Sequence, residues 1–136
     1  PGYRHLIEGS DIDRNILQAA AYGRYSHEQV RNVSRLRLEN YFNKEGSLYV
    51  LKDSIKRKVS FRQHDLLLSP FGMGYDLIAC RNVTIYFTRE AQENLNIKFY
   101  RALNHGGVLF IGASEMIFNY HELGFEKMAS CFYLKK

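Results

Sequence analysis

An apolar run, an amphipathic segment and a second apolar run follow one another in the second half of the sequence, and this order constrains the fold most. Residues 75–80 are almost entirely apolar, as is typical of a strand buried in a parallel sheet. Thr88 can cap a helix that extends to about Leu103, and residues 108–112 have the composition of the next buried strand. Strand, helix and strand in this order predict an α/β fold with a doubly wound, Rossmann-like sheet.

A shorter strand–helix unit opens the sequence. Residues 4–10 suit a short strand that leaves its sheet at a polar turn. Asp13 can cap the helix that follows, and Gly23 is placed to end it.

The segment between these two parts predicts a small inserted subdomain. Ser26 and Gln29 fit a capping box at the start of a helix that extends to about residue 42. Two β-like runs, Leu48–Leu51 and residues 59–61, then suggest a hairpin. We predict that residues 24–63 form this helix-plus-hairpin insertion, and that residues 1–23 and 64–136 form the main domain.

The positive charge of the chain lies on the predicted insertion. Residues 24–63 contain ten Lys/Arg against four Asp/Glu, whereas the whole chain has a net charge of +5. A nucleic-acid surface and an acidic protein partner both fit such an excess, and so does a solvated helix face. Composition alone does not choose among them.

Several kinds of site and location are disfavoured by the sequence. Cys80 and Cys131 lie in apolar runs without CxxC spacing, which predicts buried, reduced thiols. The five histidines are scattered, so no metal site is legible. No apolar run approaches the ~20 residues of a membrane span, and residues 1–5 lack a signal pattern, which favours the cytoplasm.

Polar side chains follow the predicted strands at the edge where an open α/β sheet binds its ligands. Asp11 follows the first strand, and a carboxylate can accept hydrogen bonds from both hydroxyls of a ribose. Asp13 is explained as the helix cap, which leaves Asp11 free for a ligand. The alternative is that Asp11 is itself only a cap or turn residue.

Two further pairs of residues occupy similar positions. Asp65 could hold the amino group of a base while Leu66 packs on its face, or Asp65 could be a turn residue. Arg81 and Asn82 directly follow a buried strand, where they need either a ligand or a neighbouring acid as ion-pair partner. Ser114 lacks the final glycine of a nucleophile elbow, which argues against acyl transfer.

Two motifs resemble those of a known family. The run YDLIACRNVTIYF at residues 75–87, followed by GGVLFIGASE at residues 106–115, is similar to the signature of CheR-type chemoreceptor methyltransferases. Together with residues 10–13 and the aromatic residues of the insertion, the resemblance extends over essentially the whole chain in the right order. The sequence departs from the family at Met116, where the family has asparagine, and at Asp65, where asparagine is usual.

The resemblance implies a cytoplasmic enzyme with a class I methyltransferase sheet that uses S-adenosylmethionine to methylate glutamate side chains. Its partner would be the cytoplasmic domain of methyl-accepting chemotaxis receptors, which is acidic, and the basic insertion would face it. No metal and no nucleic acid would be involved. The implied roles are ribose binding by Asp11, adenine contacts by Asp65 and Leu66, cofactor contacts by Arg81 and Asn82, and a position near the transferred methyl group for Tyr86.

Two parts of the family are missing from these 136 residues. Neither the glycine-rich motif that follows the first strand nor the N-terminal helical domain has a counterpart. We therefore interpret the chain as a fragment of a longer parent protein, without the strand expected between its own first strand and residues 75–80. We expect the fragment alone to bind the cofactor poorly and to be inactive.

Two alternatives to this enzyme stay open. One is a non-catalytic CheR-like module that binds receptors or signals, which an upstream glycine-rich motif would argue against. The other is a nucleic-acid methyltransferase, suggested by the sequence pI of about 9.3. The chain lacks an acidic–aromatic motif to grip a flipped base, which disfavours that reading.

Overall fold

The computed structural model describes residues 5–136, which divide into two compact units. The first unit ends at Asp65 and the second comprises Leu66–Lys136. Arg4, at the start of the predicted first strand, lies outside the described residues.

The first unit contains a parallel pair of strands and a separate antiparallel sheet. Its elements are β1 (Ile7–Asp11), α1 (Arg14–Tyr22), β2 (Arg24–Ser26), α2 (Arg35–Tyr41), β3 (Phe42–Glu45), β4 (Leu48–Leu51), α3 (Asp53–Lys56) and β5 (Val59–Gln63). Strand β1 pairs with β5 in parallel, and β2, β4 and β3 form the antiparallel sheet in that order. The predicted hairpin between β4 and residues 59–61 is therefore wrong, because β3 is the hairpin partner of β4. The bounds of the insertion, residues 24–63, stay a prediction.

Both predicted ends of α1 are confirmed. The Asp13 side chain accepts a hydrogen bond from the Asn15 backbone N–H at 2.7 Å. Gly23 follows the helix with φ of +65°, in the left-handed region that glycine enters without a steric penalty.

The predicted helix from Ser26 to about residue 42 is only half right. The capping-box hydrogen bonds form, since the Ser26 N–H donates to the Gln29 side chain and the Gln29 N–H donates to Ser26 Oγ. Residues 27–33 nevertheless form turns, and α2 begins at Arg35. Ser34 explains the later start, because its hydroxyl caps α2 by accepting from the Arg37 N–H.

The second unit is a four-stranded mixed sheet with helices. Its elements are β6 (Tyr75–Cys80), a 3₁₀ turn (Thr84–Tyr86), α4 (Arg89–Ala102), β7 (Leu103–Ile111), α5 (Tyr120–Leu123), β8 (Phe125–Ala129) and β9 (Phe132–Lys135). The strand order is β6-β7-β9-β8, in which β6 and β7 are parallel and the other pairs are antiparallel. The predicted α/β class, the strand at residues 75–80 and the Thr88-capped helix are confirmed.

Helix α4 covers one face of this sheet and builds the core. Its side chains Leu95 and Phe99 are buried among residues that include Leu109, Ile111 and Tyr133 of the sheet. Buried apolar side chains thus recur about once per turn of α4, as the sequence predicted.

The opposite face of the sheet is open in the part of the chain that the structure describes. Register places Leu77, Val108 and Leu134 side by side on that face, and Leu77 is 59 % exposed. The prediction of a fully buried strand at residues 75–80 is therefore wrong for half of its side chains.

Strands β1 and β6 each have one unpaired edge within the described residues. Strand β1 pairs only with β5, and β6 pairs only with β7. An unpaired strand edge is open to pairing with a further strand.

The predicted thiols lie in the described part of the chain. Cys80 is buried, Cys131 is partly buried, and neither forms a disulfide, as predicted. Burial, together with the negative charge of Glu115, raises the pKa of the Cys80 thiol to about 11, so the thiol stays protonated. No described helix is long and apolar enough to cross a membrane, and no group of three metal-ligating side chains occurs among these residues.

The different surroundings of Leu95 and Leu77 give a test of this arrangement. Leu95 is 1 % exposed in the core, so Leu95→Ala in this 136-residue chain should lower the free energy of unfolding by about 2–5 kcal/mol in urea denaturation. Leu77→Ala, the same substitution on the open face, should cost less than about 1 kcal/mol. Equal losses would mean that the Leu77 face is covered in solution.

Candidate functional site

The loop that follows β6 carries two of the predicted site residues. Strand β6 ends at Cys80, and Arg81 and Asn82 lie in the loop before the 3₁₀ turn that begins at Thr84. This loop stands at the carboxyl end of a parallel strand, where an α/β sheet binds its ligands.

The carboxylate of Glu115, which lies shortly after the end of β7, binds this loop through hydrogen bonds. Its Oε1 accepts hydrogen bonds from the Val83 N–H at 3.0 Å, the Thr84 N–H at 2.8 Å and the Thr84 hydroxyl at 2.7 Å. Its Oε2 accepts from the Asn82 N–H at 2.9 Å and the Gly112 N–H at 2.6 Å. Five donors therefore converge on one carboxylate that is only 8 % exposed.

These hydrogen bonds decide the ionisation of Glu115. Burial acts to raise the pKa of the carboxyl group, but the donors from Thr84, Asn82 and Gly112 favour the charged form and outweigh it. The net result is a pKa below the ordinary value for glutamate. Glu115 is therefore ionised at neutral pH.

The backbone of the loop has a conformation that few residues tolerate. Asn82 has φ of +59° and is the one described residue other than glycine with a positive φ. Asparagine enters the left-handed region more readily than most side chains. A Cβ on Gly112 would lie 2.4 Å from Asn82 Oδ1 and 2.6 Å from Glu115 Oε2, so only glycine leaves room for both side chains.

Arg81 has no acidic partner in the described part of the chain, so the ion-pair alternative is not supported there. Its guanidinium lies 4.9 Å from the ring centroid of Phe110, which fits a cation–π contact. Phe110 stacks in turn on Phe132, with ring centroids 4.4 Å apart. The contact leaves Arg81 exposed, with its N–H donors available to a ligand.

Tyr86 is the last residue of the 3₁₀ turn that follows this loop. Its side chain is 82 % exposed. The Gln92 side chain of α4 holds the turn by donating to the carbonyl oxygens of Thr84 and Phe87 at 2.8 and 3.1 Å.

Asp11 lies at the carboxyl end of β1 in the first unit. It is not wholly free, as the sequence had suggested, because its Oδ1 accepts a hydrogen bond from the Asp13 N–H at 2.9 Å. No hydrogen bond to Oδ2 occurs among the described residues. One carboxylate oxygen thus shapes the turn, and the other fits a hydroxyl donor of a ligand.

Asp65 and Leu66 stand where the first unit ends and the second begins. The Leu66 side chain packs against the core of the second unit, and its carbonyl oxygen accepts a hydrogen bond from Lys98 Nζ at 3.2 Å. Leu66 therefore has a packing role in addition to any contact with a base. The assignments of Asp65 and Leu66 to adenine stay predictions.

Ion pairs within the insertion use up all four of its acidic side chains. The pairs are Arg24–Glu45, Arg31–Glu28, Arg35–Glu39 and Lys56–Asp53. Arg57 and Lys58 are exposed and form no ion pair in the described part of the chain. Arg57 and Lys58 therefore contribute to the net positive charge of this surface.

Sequence reasoning missed Glu115. The motif Gly112-Ala113-Ser114-Glu115 drew attention to its serine, whereas the structure gives the central position to the glutamate. The signal was present, since an acidic residue close to the end of a buried strand needs several donors to stay charged.

The chain is similar in sequence to curated chemotaxis protein methyltransferases. The chain is 38 % identical over 135 residues to a chemotaxis protein methyltransferase of Listeria monocytogenes, covering 98 % of this chain and 52 % of the relative. It is 38 % identical over 136 residues to chemotaxis protein methyltransferase 2 of Vibrio cholerae, covering 96 % and 44 %. The chain thus spans about half the length of the curated relatives it matches.

Solved structures support the fold. A TehB-like SAM-dependent methyltransferase from Corynebacterium glutamicum superposes with a TM-score of 0.54 at 16 % identity, covering 96 % of this chain and 66 % of the other. A protein from Bordetella parapertussis described as a possible exported protein gives 0.59 at 15 % identity, covering 96 % and 53 %.

The family itself is shown by sequence. Residues 2–133 match the model of the CheR methyltransferase, SAM binding domain. The cofactor of that domain is S-adenosylmethionine, and the chain belongs to the CheR methyltransferase family.

Proposed function

We propose that this chain is part of an S-adenosylmethionine-dependent O-methyltransferase that methylates glutamate side chains of chemoreceptors in the cytoplasm. The observation that carries the proposal is the loop after β6, which presents Arg81 and Asn82 at a strand end in a chain of this family. The partner is the cytoplasmic domain of methyl-accepting chemotaxis receptors.

The described residues fit the cofactor. Asp11 has an oxygen available for a ribose hydroxyl, and Arg81 and Asn82 are exposed at the end of β6. Asp65 and Leu66 are proposed to contact the adenine. All of these side chains offer neutral or charged hydrogen-bonding groups, or an apolar surface, of the kind that a nucleoside requires.

The chemistry asks the protein for alignment. S-adenosylmethionine supplies an activated methyl group on a sulfonium, and a glutamate side chain is already ionised at neutral pH. No general base is needed, so the residues of this chain act by holding the reactants in line, which can be worth ~7–11 kcal/mol. Tyr86 is proposed to lie near the transferred methyl group.

The length of the relatives supports the fragment interpretation. The chain covers 52 % and 44 % of the two chemotaxis methyltransferases described above. We propose that the activity belongs to a longer parent protein.

Asp11→Ala tests the ribose assignment. In the parent protein this substitution should weaken S-adenosylmethionine binding by ~1.5–3 kcal/mol in calorimetry, because charged hydrogen bonds are lost. Asp13→Ala is the matched control, since it removes the cap of α1 two residues away and should reduce stability but not affinity. Equal affinity of the Asp11 variant and the wild type would leave Asp11 as a turn residue.

A charge reversal tests whether the insertion faces the receptor. Replacing Arg57 and Lys58 by glutamate should slow receptor methylation and weaken its dependence on salt, while cofactor affinity stays constant. The same change in net charge at Arg101 and Lys127, outside the insertion, is the control. Normal receptor kinetics in the Arg57/Lys58 variant would mean that these side chains form an ordinary solvated surface and do not face the receptor.

The 136-residue chain alone should bind the cofactor weakly and transfer no methyl group. Its open strand edges and its lack of a glycine-rich turn should weaken cofactor binding to beyond roughly millimolar, with no methyl transfer to receptor. Calorimetric titration of the chain and of the parent protein measures the difference. Micromolar binding by the chain alone would show that the absent segment is dispensable.

A further inference from the structure

We infer that Glu115 is a positioning residue, whose carboxylate fixes the loop of residues 81–84 in the conformation that presents Arg81 and Asn82 to the cofactor. The inference rests on the proposed function, because it concerns the same cofactor site. Glu115 contributes through the loop, and the residues proposed to touch the cofactor are Arg81 and Asn82.

The loop of residues 81–84 needs hydrogen-bond acceptors for its backbone N–H groups. Asn82, Val83 and Thr84 offer three successive backbone N–H groups, from the loop after β6 to the first residue of the 3₁₀ turn. The first N–H groups of a helical turn have no partner inside the turn. Glu115 accepts all three, so it supplies hydrogen bonds that neither the strand nor the turn provides.

The backbone conformation of Asn82 also depends on its surroundings. Asn82 has a positive φ, and such a conformation persists only where the surroundings fix it. The hydrogen bond from the Asn82 N–H to Glu115 Oε2 at 2.9 Å is one such restraint. The position of the Asn82 side chain is therefore coupled to the carboxylate on the neighbouring strand end.

Gly112 fits closely against both Glu115 and Asn82. Its N–H donates to Glu115 Oε2 at 2.6 Å, and the Asn82 amide oxygen lies 2.4 Å from the position that a Cβ of residue 112 would take. The ends of β6 and β7 are thus joined through one carboxylate oxygen. A change at Glu115 or at Gly112 should move the same loop.

A carboxylate is required at position 115 because both of its oxygens accept. Glutamine has nearly the same size, but its amide nitrogen would face two or more N–H donors whichever way the side chain is turned. Glu115→Gln therefore keeps the volume of the side chain, but replaces one acceptor oxygen by a donor nitrogen.

The test uses the parent protein and S-adenosylhomocysteine as the probe. Glu115→Gln should accelerate the NMR-detected exchange of the amides of Asn82, Val83, Thr84 and Gly112. It should also weaken S-adenosylhomocysteine binding about 10- to 100-fold in calorimetry, because misplaced contacts lose affinity. Glu122→Gln, at an exposed glutamate of α5 in the same unit, should change neither quantity.

Steady-state kinetics separate positioning from simple loss of stability. A variant that only folds less well lowers the apparent kcat and leaves the KM for S-adenosylmethionine unchanged. A positioning role raises that KM, while the KM for the receptor stays the same. Gly112→Ala should reproduce the rise in KM with Glu115 intact, because the added Cβ displaces the same loop.

The outcomes are distinct. Faster amide exchange with unchanged S-adenosylhomocysteine affinity in Glu115→Gln would overturn this inference and leave the proposed function standing. A wild-type parent protein that binds no S-adenosylhomocysteine would overturn the proposed function, and this inference with it.

A milder variant serves if Glu115→Gln does not fold. Thr84→Val removes only the hydroxyl donor to Oε1 and keeps the shape of the side chain. It should weaken S-adenosylhomocysteine binding in the same direction, by about 2- to 5-fold for one lost hydrogen bond. Wild-type affinity for S-adenosylhomocysteine in this variant, together with faster exchange of the loop amides, would contradict the inference.

Discussion

Glu115 brings a negative charge into the second unit, and five hydrogen-bond donors from two separate segments surround it. A carboxylate buried without partners would take up a proton instead of staying charged. Burial acts to raise the pKa of this carboxyl group, but the hydrogen bonds from Thr84, Asn82 and Gly112 favour the charged form and bring the pKa below its ordinary value. The loops after β6 and β7 are therefore joined through this carboxylate, and Asn82, with its positive φ, and the crowded Gly112 both donate an N–H to it. The proposed cofactor contacts of Arg81 and Asn82 depend on it.

A second constraint acts on the sheets. Parallel strands are stable where both faces are covered and both edges are paired. Helix α4 covers one face of the β6–β9 sheet, whereas the face that contains Leu77 is open in the described residues. Strands β1 and β6 each leave an edge unpaired there. The same physical requirement underlies the proposal of a longer parent protein, since additional segments could supply both the strand and the cover.

Local signals predicted the elements well, and pairing between distant segments was harder. The caps at Asp13 and Thr88 follow from short-range chemistry, and both helices begin where the sequence placed them. The partner of β5 could not be read in this way, because a β-like run does not state which strand it joins. Ser26 and Ser34 both make cap hydrogen bonds, and only the structure shows that the second one starts the helix. For the site, residue type and position at a strand end identified Arg81 and Asn82, but the convergence of donors on Glu115 is a tertiary property.

The most direct measurement is a crystal structure of the parent protein with S-adenosylhomocysteine. The account predicts that Arg81 and Asn82 contact the ligand while Glu115 still accepts from the N–H groups of Asn82, Val83, Thr84 and Gly112. A ligand bound without contact to residues 81–84, or bound with the Glu115 hydrogen bonds broken, would contradict the account.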